Sequence, residues 1–429
     1  MIVRIVFIAG TYQPELCGVV HYTMRLRTLL KEQGIESLVL TTRCAAKGQN
    51  NEVAGVTDGF GMRDLPALVR ALHEGEADIL HIQHAAGSYG FKRALFLLPL
   101  LLRLTGYRRP IVTTVHEYGW WQWEPPGIPP RLLKTLKSWG QRHEWWDEED
   151  GFLLTLSDAI IAANPDVAAA IAQRLPRARK RLSTIPIAAN IEAAPLAYSV
   201  ARRMLCQRLG WPDDAVVLAF FGFLHPVKGL ETLLAAFQEL RQRYPRARLL
   251  LIGGVESLAL RGEHARHYRQ QLETLIAEAG LCNAVHITGY LPDAEVSRWL
   301  SASNIGVLPF NHGISLKSGS LLTLLEHGLP VVATHHNPPE PLLEHTPAVR
   351  LVAPHDSASL TRALETLLNE PEAWPRLGAL ARTFAQDFSW QSIIQRHIDI
   401  YHAVLACQAF PNPLPPRRLR YILYQDRPR

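Results

Sequence analysis

Between Ile314 and Ala333 the chain reads ISLKSGSLLTLLEHGLPVVA. A Ser-Gly-Ser loop (Ser318, Gly319, Ser320) opens a short apolar helix that carries one carboxylate, Glu326, and stops at Gly328 before Pro330 and a Val-Val strand. A helix N-terminus behind a small-residue loop offers unpaired N–H groups and the positive end of the helix dipole, which suits phosphate. The amides of Ser320, Leu321 and Leu322 are the expected donors, with Lys317 directly before the loop. A carboxylate about two turns on, Glu326, can accept hydrogen bonds from sugar hydroxyls. A capped helix with a C-terminal glycine is the structural alternative. Lys228 follows a strand and precedes a helix opened by Gly229, which adds a point charge where a pyrophosphate would sit. His116, followed by Glu117, ends the run PIVTTV; a strand-end imidazole is either a ligand contact or a hydrogen-bonded structural group.

These residues need a scaffold that brings strand ends together. Short β-branched runs at Ile2–Ala9, Ser37–Thr42, Ala77–Gln83, Pro110–Val115, Asp158–Ala163 and Leu182–Ile187 alternate with helical patterns. After Asn190 and a linker-like AAPLAY, the pattern restarts at Ala215–Phe221, Ala247–Ile252, Ala284–Ile287, Ile305–Leu308, Val331–Ala333 and Val349–Val352. Alternation of this kind predicts an α/β protein of two Rossmann-like, doubly wound parallel sheets. Ligands of such sheets bind at the carboxyl ends of the strands. That points to the 10–21 loop, His84 and His116-Glu117 in the first half, and to the 222–229 loop and Pro309–Ser320 in the second.

Composition narrows the classes. A chain of 429 residues exceeds one typical core, and 48% hydrophobic with 20% charged residues is ordinary for a globular protein. Net charge is +6; from Gln408 to Arg429 five Arg against one Asp supply +4 of it, and a second basic cluster, RLPRARKRL, spans Arg174–Leu182. No nucleic-acid motif accompanies them, so they read as solvated faces or as contacts to an anionic membrane surface. Five scattered cysteines without CxxC argue against disulfides and a zinc site and fit a reducing, cytoplasmic compartment. Ile2–Ala9 reads as a buried strand, not a signal peptide. The run ALFLLPLLLRL (Ala94–Leu104) is too short to span a bilayer, leaving a core helix, a surface helix or an interfacial one.

Five segments, in order, carry a family resemblance: Pro14–Tyr22; VTTVHEY (Val112–Tyr118); FFGFLHPVKGLETLLAAF (Phe220–Phe237); ASNIGVLPF with SGSLLTLLEHGLPVVAT; and the run from LVAPHDSASL through FSWQSIIQRHIDIYHAVL. Together they resemble the GT-B glycosyltransferases, in particular the large retaining family that uses nucleotide-sugar donors (family 4-like, group 1). The resemblance implies two domains facing a cleft, with residues 1–192 binding acceptor and 193–388 binding donor. It further implies a helix over 389–407 that crosses back to the first domain, and a basic tail over 408–429. Lys228, Gly229, Lys317 and the 318–322 segment would hold the diphosphate, and Glu326 the ribose. His116 would lie near the donor sugar as the catalytic-site histidine. Gly18, Glu117, Trp120 and Trp121 would line the cleft on the acceptor side. Catalysis in this family needs neither metal nor cofactor beyond the UDP- or GDP-linked donor.

Two departures stand out. The first carboxylate of the family's Glu-x7-Glu pair is Ser318 here, and the Arg that follows the glycine of the loop after the donor domain's first strand is Phe223. Losing a charge-assisted partner costs about 1.5–3 kcal/mol; Arg202, Arg203, His225 and Lys317 are the candidates to compensate. The match at Gly18 is partial, since Cys17 replaces the preceding glycine. His335-His336 and the His81/His84 pair lack a carboxylate or Cys at ligand spacing. WWQWEPP (Trp120–Pro126) and HEWWDEED (His143–Asp150) read equally as an acceptor glycan platform or a helix–loop cap. The expected activity is transfer of a sugar to a glycan, lipid or small-molecule acceptor, in the cytoplasm or on the inner face of the membrane. The alternatives are a non-catalytic nucleotide- or sugar-binding subunit, a sugar-nucleotide epimerase and a phosphorylase.

Overall fold

In a computed structural model the described residues are 3–12, 18–119, 129–257, 260–337 and 339–409. The chain divides into two units: unit 1 comprises Met1–Thr11, Leu26–Ile185 and Ile394–Arg429, and unit 2 comprises Tyr12–Arg25 and Pro186–Ile393.

Unit 1 contains β1 (Arg4–Ala9), β2 (Glu36–Thr42), β3 (Val53–Thr57), β4 (Ile79–His84), β5 (Ile111–Val115), β6 (Ala159–Ala162) and β7 (Leu182–Thr184). They form a parallel sheet in the order β3-β2-β1-β4-β5-β6-β7. Every residue of β4 is buried, as expected for a central parallel strand covered on both faces. β3 is absent from the sequence-based list of strands. Its VAGVT run is interrupted by Gly55, where a side chain would meet the Arg43 backbone at 2.6 Å. The strand expected over Leu182–Ile187 shortens to Leu182–Thr184.

The apolar run from Ala94 is a core element: Ala94, Leu95, Phe96, Leu98 and Leu102 are buried in one cluster with Ile8, Leu68 and Leu80. An interfacial role for this run is thereby withdrawn. No helix among the described residues is long and apolar enough to cross a membrane.

Unit 2 contains β8 (Val216–Phe221), β9 (Ala247–Ile252), β10 (Val285–Ile287), β11 (Ile305–Leu308), β12 (Val331–Thr334) and β13 (Val349–Val352). These are also parallel, in the order β10-β9-β8-β11-β12-β13. The order reverses direction at β8–β11, the kind of switch point where open α/β sheets place their ligands. The Trp390–Ala409 helix belongs to both units. Its Trp390 indole N–H donates to the Ala189 carbonyl at 2.9 Å in unit 2, and Tyr401 bonds His81 at 2.7 Å in unit 1.

Candidate functional site

The switch point of unit 2 is built on close backbone approaches. β8 ends at Gly222 (φ 139°), where a Cβ would lie 2.8 Å from Ser320 Oγ. The loop after β8 therefore runs against the start of the Gly319–Glu326 helix. Gly229 (φ 66°) opens the Leu230–Arg243 helix, and a Cβ there would lie 2.0 Å from the Pro309 carbonyl oxygen. Glycine is required there twice over, by conformation and by space. Asn311 ties the same junction: its amide N–H donates to the Val227 carbonyl at 3.0 Å and its side chain to the Pro226 carbonyl at 3.1 Å.

That junction aims Lys228. Its Nζ lies 3.6 Å from the centroid of the Phe310 ring, a cation–π contact. Burial pushes the ammonium down to about 8 from its ordinary 10.5, so it is a desolvated cation ready to meet an anion. Phe310 and Asn311 lie in the Pro309–Ser320 stretch that the sequence singles out, but their roles in holding Lys228 were not legible there.

The Gly319–Glu326 helix differs from expectation at its first turn. Ser318 is the N-cap: its Oγ accepts from the Leu321 amide at 3.2 Å, and its carbonyl accepts from the Leu322 amide at 3.2 Å. The Leu321 and Leu322 amides are thus engaged inside the helix and are not free for phosphate. The donors left at this end are the amides of Gly319 and Ser320, the first positions of the helix. A side chain on Gly319 would have to displace the Asn190 side chain, whose Oδ1 lies 2.5 Å from the Cβ position. Asn190 is itself anchored by its amide to Thr323 Oγ1 at 3.1 Å. Lys317 is exposed immediately before the cap. At the far end, Glu326 is half-buried; burial first, and Glu192 second, push its carboxyl up, while Arg382 opposes them. A carboxylate that is partly desolvated gains most from hydroxyl donors.

Of the four candidates to replace the missing arginine, two are committed elsewhere. The buried Arg202 donates to the Ala302 carbonyl at 2.8 Å and to Asn304 Oδ1 at 3.3 Å. His225 caps the Pro226–Lys228 turn, accepting from the Val227 amide at 3.3 Å, and burial together with Lys228 lowers its pKa, which disfavours a cation. Arg203 is exposed on its helix, which leaves Lys317 as the cation beside the loop.

At the strand ends of unit 1 the polar groups are bonded to one another. His116 Nε2–H donates to Gln83 Oε1 at 2.8 Å, and the Gln83 amide reaches His81 Nε2 at 3.4 Å. His81 Nε2 also accepts from Thr114 Oγ1 at 2.8 Å, and its Nδ1–H donates to Tyr401 Oη at 2.7 Å. This network assigns the tautomers. Burial, with smaller contributions from His84 and His397, drives His116 down to about 3, so it is a neutral imidazole. Next to it the buried pair His84–Asp150 is closed at 3.0 Å.

Four of the five carboxylates of HEWWDEED, those of Glu144, Asp147, Glu149 and Asp150, are bonded within the unit, which removes them from the glycan platform. Asp147 accepts from Tyr118 Oη at 2.6 Å and from the amides of Glu149 and Asp150 at 2.9 Å. Glu149 accepts from the Gly119 amide at 2.8 Å and from Arg174 at 2.6 Å. Glu117 is exposed at the end of β5. A Cβ on Gly18 would meet nothing within 4 Å, so packing does not demand glycine there. Trp120 and Trp121 lie outside the described residues.

Two family models match this chain: Glycosyltransferase Family 4 over residues 17–193, and Glycosyl transferases group 1 over residues 215–370. The chain belongs to the group 1/family 4 glycosyltransferases. Among curated family members, a Streptomyces coelicolor D-inositol 3-phosphate glycosyltransferase is 26% identical over 249 residues, covering 57% of this chain and 52% of that protein. The chain spans about half the length of the curated relatives it matches. Among solved structures, a Rickettsia africae glycosyltransferase aligns with TM-score 0.70 and 14% identity, over 94% of this chain and 99% of that one. The Anabaena protein HepE, solved with UDP and glucose, aligns with TM-score 0.66 and 18% identity, over 94% and 100%. At these identities the structural likeness establishes the GT-B fold.

Proposed function

We propose that the protein is a retaining glycosyltransferase that moves a sugar from a nucleotide-diphosphate donor to a sugar, glycan or lipid-linked acceptor. The observation that carries this reading is the junction at β8 and β11. There Gly222 and Gly229 let the loop after β8 pack closely against Ser320 and Pro309, Lys228 is held desolvated over Phe310, and the Gly319 and Ser320 amides open a helix whose far end carries Glu326. Residues 193–388 form the donor domain in this reading: diphosphate sits on Lys228, Lys317 and the helix start, and ribose sits on Glu326. Residues 1–192 form the acceptor domain, with Gly18, Glu117, Trp120 and Trp121 on its acceptor side and His116 as a neutral hydrogen-bonding group near the reacting sugar.

In the transfer step the sugar C1–O bond to the diphosphate breaks and a bond from C1 to the acceptor oxygen forms. The acceptor proton passes to the departing phosphate. Cationic and amide donors that stabilise the departing charge lower the barrier directly. Lys228 and Lys317 supply that charge without a metal in the scheme. In this reading the two basic segments, Arg174–Leu182 and the 408–429 tail, support work at the inner, anionic face of a membrane.

Titration calorimetry with UDP and GDP, followed by transfer assays with their sugars, tests the reading. Micromolar binding of one nucleotide and sugar release to an acceptor are expected. No binding of any nucleoside diphosphate would sink it. A second reading, a nucleotide-binding subunit without turnover, is favoured by one observation: Ser318, in place of a carboxylate, spends its oxygen capping the helix. Tight binding with neither transfer nor donor hydrolysis would select that reading.

A further inference from the structure

The Pro130–Arg142 helix of unit 1 takes no part in either set of strand ends, and an apolar row runs along its exposed side. Leu132, Leu136 and Trp139 are 61%, 40% and 40% exposed. Their spacing of four and then three residues puts them in one row along the helix. The row is held in place from the opposite side. Leu133, Lys137 and Gly140 are buried, and the Trp146 ring occupies the space a Gly140 side chain would need, 1.9 Å from that Cβ position. The exposure is therefore a fixed property of the unit.

Charge accompanies the row. The helix carries exposed Arg131, Lys134 and Arg142 and no carboxylate, its fourth cation, Lys137, being buried. Its C-terminal end is also tied to the second basic cluster of the sequence. Gln141 donates to the Arg174 carbonyl, and Glu144 accepts from the Arg177 amide at 2.8 Å. The Pro176–Arg181 turn, with exposed Arg177, Arg179 and Lys180, is thus fastened beside the helix. Two stretches more than thirty residues apart in sequence make one surface with an apolar ridge and a cationic flank.

We infer that this face docks on an anionic lipid surface. Leu and Trp at the boundary of the acyl region, with Lys and Arg toward the head groups, are what an in-plane interfacial helix requires. Other occupants fit less well. A neutral glycan could stack on Trp139 but would give the cations nothing, and a twofold pairing of two copies would set like charges against each other. The inference rests on the membrane placement proposed above and names the surface that carries it.

The test uses the full-length protein and sedimentation with phosphatidylcholine vesicles, with and without phosphatidylglycerol, at low salt. Wild type should pellet with the anionic vesicles only. The Leu132→Glu/Leu136→Glu double variant should partition about tenfold less or worse, with an unchanged melting temperature, because both side chains are exposed. Lys134→Glu should lose about fivefold, an effect that fades as salt is raised. If the double variant pellets like wild type, the face is wrong while the membrane placement stands. If wild type pellets with neither vesicle, both fall. If the double variant shifts the oligomeric state in light scattering, the row is a protein interface and the inference is overturned.

Discussion

At the carboxyl ends of β4 and β5 the polar side chains of unit 1 are bonded to each other, from His116 through Gln83 and His81 to Tyr401. At the carboxyl ends of β8 and β11 in unit 2, glycines bring the elements into close approach, Lys228 is held desolvated over Phe310, and the helix opened by Gly319 and Ser320 ends on the half-buried Glu326. Both regions are the strand ends of parallel sheets, and both are rich in residues that could do chemistry. They differ in how the groups are satisfied. A closed hydrogen-bonded network is rigid and costly to break, so its members mostly shape a wall. An open set whose charge is partly desolvated is poised for a ligand that completes it. Removing a member of the closed network in unit 1 should therefore cost stability alone, whereas removing an uncommitted charge in unit 2 should cost nucleotide binding alone.

The hardest test of that contrast is Gly229→Ala. A Cβ 2.0 Å from the Pro309 carbonyl, on a backbone at φ 66°, forces β8 and β11 apart. Destabilisation of about 3 kcal/mol or more in denaturant melts is expected, together with weakened nucleotide binding. A stable, fully binding variant would show that the close approach does not hold the site. Lys228→Met should act differently. It keeps contact with Phe310 but removes the cation, so UDP or GDP affinity should drop by about 1.5–3 kcal/mol while melting is unchanged or slightly improved. Equal affinity by calorimetry would remove Lys228 from the donor site.

Tyr401→Phe is the mirror experiment. It leaves the buried His81 Nδ1–H without its acceptor and should cost about 1–3 kcal/mol of stability with nucleotide affinity untouched. Altered affinity would dissolve the distinction between wall and site. Ser318→Ala removes the cap on Leu321 and should cost about 1 kcal/mol of stability. If that substitution instead abolished transfer while melting stayed put, Ser318 would have a direct role at the sugar.

The gentlest test is pH. Lys228 titrates at about 8, so nucleotide affinity should be full below that value and fall as pH rises through it. His116 titrates at about 3 when folded against an ordinary 6.5 when unfolded. The unfolded state then binds the extra proton between those values, and stability should fall as pH drops from about 6.5 toward 3. His116→Gln should flatten its share of that slope in melts at pH 7, 5 and 4.

Much of this was legible from sequence because parallel α/β units advertise themselves. Buried strands are β-branched runs, the turns after them carry the glycines, and the Ser-Gly-Ser loop marks the start of an apolar helix. β3 escaped because Gly55 interrupts its run, for a reason that only the neighbouring Arg43 backbone supplies. HEWWDEED read equally as a glycan platform or a helix–loop cap because burial is invisible in a string of letters. Arg202 looked like a spare cation for the same reason, until its bonds to Ala302 and Asn304 were seen.

The sequence by itself determined the two sheets, the family, and the residue types around the candidate donor site, since strand periodicity, turn chemistry and ordered motifs are local properties. Tertiary structure decided which of those groups remain available. Ser318 became a cap, which engages the amides of Leu321 and Leu322 within the helix. Lys228 acquired an aromatic seat from residues 82 positions away, and the Pro130–Arg142 helix acquired a basic neighbour from Arg177. A side chain's partners are set by distance in space, and only the fold supplies that distance.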